Sequence, residues 1–286
     1  MGNLPEQRLT HKHPFDVVGV DYAGPFQIKD RMGRGAKLLK SYVALKSLFL
    51  GQSGAYRTNN GSNFLGAHIE LGRFIRDKLD DKSNKLNNEE VDWHFIPSHS
   101  PHFGGMREAG VKTMKGHLNR VVSNTPLTFE QFYTLLSEVG AIMNCRSLSA
   151  LSSSPKDFTP LTPAHFLIGR QISPIASLDI RSLPVNRLSL YQHLQQMKQH
   201  IWARWSKEYI SELQQRNKWK QNCHNWKVGE IVLIKDDNKP PMKWKMGKVL
   251  EMFVGKDNVA RVALLKTEMG NLKRSFSKIC PLPINR

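Results

Sequence analysis

The sequence predicts an α/β domain followed by a helical connector and a small β-barrel, because hydrophobic periodicity changes twice along the chain. Up to about residue 175, short apolar runs alternate with helical stretches. Leu190, Leu194, Met197, Ile201, Trp205, Tyr209 and Leu213 then recur every three or four residues, and beyond Trp226 short strands follow one another between turns. At 286 residues the chain is long enough for one large domain and one small one, each burying its own core.

The first strand is the apolar run FDVVGVDYAGPF (15–26), stopped by Gly24-Pro25. SYVAL (41–45) is a second, and RMGRG (31–35) turns the chain between them, which predicts an antiparallel hairpin with a wide loop. WHFIP (93–97) is a third strand, preceded by a polar surface loop at 82–90. Met106, Ala109, Val111, Met114, Leu118 and Val121 predict a helix over 106–122. Thr128 to Gln131 reads as a capping box for a helix to about Asn144, and Thr162-Pro163 as the start of another. The connector helix covers 188–220, and EIVLI (230–234), GKVLEMF (247–253), VARVALLK (259–266) and NLKRSF (271–276) form the small SH3-like barrel. The predicted division is an N-terminal extension (1–14), a core (15–175), a connector (184–222) and a basic barrel (226–286).

A net charge of +18 points to a polyanion, nucleic acid above all, because Lys and Arg that neutralise phosphates release condensed counterions. From Lys198 to Arg286, 19 basic against 8 acidic side chains leave +11 of that total, so the C-terminal part is expected to grip phosphates. There, Lys235, Lys239, Lys243, Lys245, Lys248, Lys273 and Arg274 are interleaved with Trp226, Trp244 and Phe253, which suits sequence-tolerant binding. The competing reading makes the tryptophans core and the lysines a solvated surface. No segment approaches the roughly 20 apolar residues of a membrane span, and no signal peptide opens the chain, so an intracellular protein is expected. Cys145, Cys223 and Cys280 are widely spaced and form no CxxC pair, so buried thiols are expected.

The chemistry-bearing residues lie in the first half. Phosphodiester chemistry with two metal ions takes three converging acids, typically one on an inner strand, one ending the neighbouring strand and one on a helix. Asp21 and Glu108 fit two of these places, and TNNGSNF offers Asn59 at the other. Glu108, Lys112 and Lys115 share a helical face on which an acid precedes two cations able to hold DNA phosphates; the ordinary alternative is a solvated Glu-Lys ladder.

GVDYAGPF, NGSNF, WHFIPSHSPHFGG, REAGVKTMK, LTPAHFLIGR, RWSKEYISELQQR and KVGEIVLIKDDN occur in an order that resembles the integrases of BEL/Pao-type retrotransposons. The resemblance covers nearly the whole chain. It implies a ribonuclease-H-like core with a mixed sheet, a basic C-terminal domain, Mg²⁺ or Mn²⁺ as cofactor, DNA as partner and nuclear residence. Asp21 and Glu108 match the family's first aspartate and its glutamate and would be the metal ligands, while Asn59 stands at its second aspartate. With one negative charge lost, strand transfer is expected to fail. The family's zinc-binding His/Cys module lies upstream of the stretch that MGNLPEQR resembles, so no zinc is expected, and His11 and His13 read as surface histidines.

Only 37 residues separate Asp21 from Asn59, where the family has a further strand and a helix. Residues 45–51 read as the tail of that helix, and a four-stranded remnant is expected to expose an apolar face that favours self-association. The leading expectation is a nucleic-acid-binding protein with a degenerate catalytic site. An active, metal-dependent strand-transferase and a non-catalytic dimerisation scaffold are the alternatives.

Overall fold

The computed structural model describes residues 17–49, 55–58, 62–79, 92–95, 105–122, 125–152, 158–214, 226–236, 240–255 and 260–282. The chain is mixed α/β and divides into two compact units, Met1–Pro126 and Leu127–Arg286. The division falls inside the 15–175 segment that the sequence reads as one core.

In the first unit, β1 (Val17–Lys29) and β2 (Leu38–Phe49) form the expected antiparallel hairpin, with Asp21 opposite Leu45. β3 (Ala55–Thr58) runs parallel to β1 and β4 (Asp92–Phe95) parallel to β3, which gives a four-stranded sheet of order β2-β1-β3-β4. Residues 45–49 are strand rather than the tail of a helix, because pairing to β1 continues as far as Val17 opposite Phe49 and satisfies the backbone there. The pairing shifts between Ala23 and Phe26, where Gly24 adopts φ +151°. A Cβ at Gly24 would stand 2.8 Å from Tyr42 Cδ1 and 3.0 Å from the Ser41 carbonyl oxygen, so only glycine fits this bulge.

As an inner strand, β1 presents alternate residues to opposite faces. Val20 and Tyr22 meet α1 (Ser62–Leu79): Val20 and Phe64 are buried together beside Phe95, and the Tyr22 and Phe64 rings stack at 4.9 Å. Asp21 lies on the opposite face, which α2 (Gly105–Val122) covers. Among the described residues β2 has no second neighbouring strand, and it exposes Leu38, Leu39 and Tyr42 among Lys37, Lys40 and Lys46. Charges of this kind on an edge discourage further strand pairing.

The second unit opens with α3 (Phe129–Asn144), whose Thr128 N–H donates to Gln131 Oε1 at 3.1 Å as the capping pattern requires. A two-residue pair, β5 (Ser149–Ala150) with β6 (Pro160–Leu161), precedes α4 (Pro163–Ile168) and the long α5 (Leu190–Leu213). The strands β7 (Ile231–Ile234), β8 (Lys245–Val254), β9 (Ala260–Thr267) and β10 (Gly270–Ser275) follow as a meander. After a 3₁₀ turn at Phe276–Lys278, β11 (Ile279–Pro281) returns to β7, so the order is β10-β9-β8-β7-β11. β11 is three residues long and pairs wholly along β7; among the described residues nothing joins it to β10, so this sheet is open where the sequence predicts a closed barrel.

One face of this sheet buries Val232, Ile234, Val249, Ala263, Leu265 and Ile279. The other buries Leu233, Met246, Cys280 and Leu282 against Ile210 of α5. Beside the latter, Trp202, Trp205, Tyr209 and Trp244 pack ring on ring with centroids 5.1–5.9 Å apart. Trp244 Nε1 donates to the Cys145 carbonyl at 2.7 Å and Tyr209 Oη to the Ser147 carbonyl at 2.6 Å, which ties the end of α3 to the cluster. α3 also meets α5 through an ion pair of 2.8 Å between Glu138 and the buried Lys198. Gln196 and Gln199 turn to the segment before α5. Gln196 donates to the carbonyls of Ile180 and Leu183, while Gln199 accepts from Ile180 N–H at 3.0 Å and donates to the Leu178 carbonyl at 2.7 Å.

Cys145 and Cys280 are free, buried thiols, and Cys223 lies outside the described residues. Burial pushes the Cys280 thiol and the Tyr209 phenol each up to about 12, and raises the Cys145 thiol as well. Between pH 9 and about 12 the unfolded chain therefore holds fewer protons than the folded one at these groups, and stability falls as pH rises, by at most about 1.4 kcal/mol per pH unit for each group. Thermal melts at pH 8 and pH 10 should show this decline, and Cys280→Ala should make it shallower.

Candidate functional site

Asp21 sits half-buried on inner strand β1, and its Oδ1 accepts the Tyr22 N–H at 2.8 Å. Residues directly opposite in an antiparallel ladder share a face, so Asp21 shares the face of Leu45. That face carries α2: a Cβ on Gly110 would lie 3.2 Å from Leu45 Cδ2, and Lys115 Nζ donates to the Gly24 carbonyl at 3.0 Å.

These two contacts fix how α2 is threaded along the strand. From Gly110 to Lys115 the helix rises about 7.5 Å, and from Asp21 to Gly24 the strand rises about 10 Å. Gly110 therefore lies over Leu45, the residue paired with Asp21, and Glu108 precedes Gly110 by about 3 Å along the helix axis. Glu108 is exposed in the first turn of α2, on the flank of the helix; Met114, Leu118 and Val122 form its buried stripe. Lys112 is exposed one turn further on, and Lys115 is half-buried by its reach to Gly24. Asn59 lies outside the described residues. Among the described residues no group of three or more His, Cys, Asp or Glu is placed to hold a metal.

The C-terminal cations divide into two sets, with Lys239 outside the described residues. Lys248 on β8 lies opposite Lys266 on β9, on the face away from the buried Val249 and Leu265. Next along, Lys273 stands on β10 with its Nζ 4.5 Å above the Phe253 ring. Lys266 was not foreseen, because only the strand register reveals that it faces Lys248. Arg274 points the other way: its partner is the buried Ala263, and its Nη1 donates to the Lys273 carbonyl at 3.1 Å. Lys235, Lys243 and Lys245 form the second set around a groove beside α5. Of the aromatics, Trp244 belongs to the ring cluster and Trp226 stacks on Phe276 at 5.4 Å, so both pack internally. Phe253 lies under Lys273.

A family model of unknown function, DUF5641, matches residues 189–282, which hold α5 and the whole C-terminal sheet. No curated protein matches the chain. Among the described residues, no helix is long and apolar enough to cross a membrane.

The seating of α2 is sensitive at its closest approach. Gly110→Leu would overfill the Leu45 contact and should destabilise the first unit by about 1–3 kcal/mol in denaturant unfolding.

Proposed function

We propose that the chain is an integrase-like, nucleic-acid-binding protein of the BEL/Pao type whose catalytic site is short of one acid. The observation that carries binding is the Lys248–Lys266 pair. Like charges directly opposite in a sheet repel, and a surface that keeps two of them beside Lys273 is suited to phosphates.

The ribonuclease-H-like reading of the first unit is supported by its antiparallel hairpin, its two following parallel strands and its helices on both faces of β1. The SH3-like reading of the C-terminal sheet is supported by its four-strand meander, the 3₁₀ turn and the return of the fifth strand to the first. For catalysis, the supporting feature is that α2, which carries Glu108 in its first turn, covers the face of β1 on which Asp21 lies. Carboxylates are the donors a hard divalent cation takes, so Asp21 and Glu108 would be the ligands of a Mg²⁺ or Mn²⁺ that would supply charge stabilisation at a scissile phosphate. With an amide at position 59 in place of a third acid, the set is too weakly charged for a pair of cations.

Two experiments test the reading. On labelled duplex DNA, the native chain and Glu108→Gln should both fail to nick or join strands with Mg²⁺ or Mn²⁺, and Asn59→Asp should restore activity. Nicking by the native chain that Glu108→Gln abolishes would instead establish a working enzyme. In the binding assay, log K for a duplex should fall steeply with log salt. Replacing Lys248, Lys266 and Lys273 with glutamine should make that slope shallower by about 2–3, since each neutralised phosphate contributes about 0.9. A flat salt dependence of the native chain would defeat the nucleic-acid reading.

A further inference from the structure

The groove beside α5 has a volume of about 380 Å³ and is bounded by three stretches distant in sequence. One wall is the face of α5 on which Gln199, Trp202, Ala203, Ser206, Lys207 and Ile210 recur at helical spacing. Ala203 and Ser206 are its small members and leave the depression. The opposite side comes from the β7–β8 connection, with Lys235, Asp236, Pro240, Pro241 and Lys243, and Ser177, Asp179 and Arg181 close one end.

The lining has two characters. Ile210, Ile234, Trp244, Pro240 and Pro241 give an apolar floor and wall. Around them stand five cations, Arg181, Lys207, Lys235, Lys243 and Lys245, against two acids, Asp179 and Asp236. Both acids are already engaged. Arg181 grips Asp179 through three bonds of 2.6–3.2 Å, which hold its carboxyl down to about 2, and Lys245 pairs with Asp236 at 3.2 Å. The groove thus keeps an excess of positive charge next to apolar surface, in a space large enough for roughly one nucleotide and far too narrow for a duplex about 20 Å wide.

We propose that this groove takes a nucleotide unit of a single nucleic-acid strand, its phosphate among Lys235, Lys243 and the neighbouring cations and its base against the apolar wall. The inference rests on the nucleic-acid reading and adds a strand-selective site apart from the Lys248–Lys266–Lys273 face. A strand differs from a duplex in offering unpaired bases together with a flexible backbone, and a cationic rim around an apolar recess matches that pairing.

The test uses the full chain with two fluorescent probes, a twelve-residue oligothymidylate and a 20-base-pair duplex, at low salt. Lys235→Gln with Lys243→Gln, and separately Ala203→Phe, which fills the groove without altering charge, should each weaken oligothymidylate binding at least tenfold and duplex binding less than threefold. The glutamine variants of Lys248, Lys266 and Lys273 should do the reverse, and thermal melts confirm that each variant is folded. Strand binding unchanged in both folded groove variants, with duplex binding intact, would overturn the groove assignment and leave the functional reading standing. Failure of the native chain to bind either probe would overturn both. Thymidine monophosphate that binds as tightly as the oligothymidylate and is lost in the groove variants would assign the same phosphate chemistry to a free nucleotide and overturn the strand.

Discussion

The C-terminal unit depends on burying four large rings, two of which, Tyr209 and Trp244, give their polar hydrogens to backbone carbonyls. Trp202, Trp205 and Tyr209 come from α5 and Trp244 from the approach to β8, so their mutual packing fastens the helix to the sheet. Each such ring removes about 150–250 Å² from water, but an indole N–H or a phenol buried without an acceptor would give much of that gain back. The acceptors are the carbonyls of Cys145 and Ser147, just beyond α3. One cluster therefore sets where α3, α5 and the sheet lie, and the groove lined by Trp202 and Trp244 inherits its shape from that cluster.

Charge in this unit is separated according to surface. On the sheet face of Lys248 and Lys266 the next β8–β9 pair sets Glu251 opposite Leu264, whose partner on β10 is Lys273, whereas the groove holds acids clasped by cations at its margins. The first arrangement favours a broad, sequence-indifferent phosphate lattice; the second favours a small ligand held at a fixed place. In the first unit the corresponding device is steric. Gly110 lets α2 approach β2 closely, and Lys115 secures it at the bulge, so a helix that carries an acid on its flank is held beside an acid on an inner strand.

Much of this was legible in the sequence. The capping pattern at Thr128 and the ring spacing of α5 reflect local chemistry that the fold retains, whereas Gly24-Pro25, expected to stop the first strand, forms a bulge through which β1 continues to Lys29. α1 was not read, because Gly66 and Gly72 interrupt it and its apolar Leu65 and Ile69 are exposed, which blurs the stripe that marks a helix. β11 is too short to show a period of two. The tail of a helix was expected at 45–51 because the family resemblance implies an element there, while the pairing with β1 makes 45–49 strand. Neither the Lys248–Lys266 pair nor the groove is visible without register and tertiary contact, since their members lie far apart in the chain.

The two glutamines of α5 have a wider consequence. Gln196 and Gln199 act as a surrogate strand for Ile180, meeting both its N–H and its carbonyl and reaching Leu178 and Leu183 as well, where regular secondary structure would use a neighbouring backbone. The stretch before α5 has no regular structure around Ile180, yet its opening is coupled to the helix that supplies its partners. Segment and helix thus belong to one cooperative unit, and the amide of Ile180 gains the exchange protection of a helix core while lying in a loop.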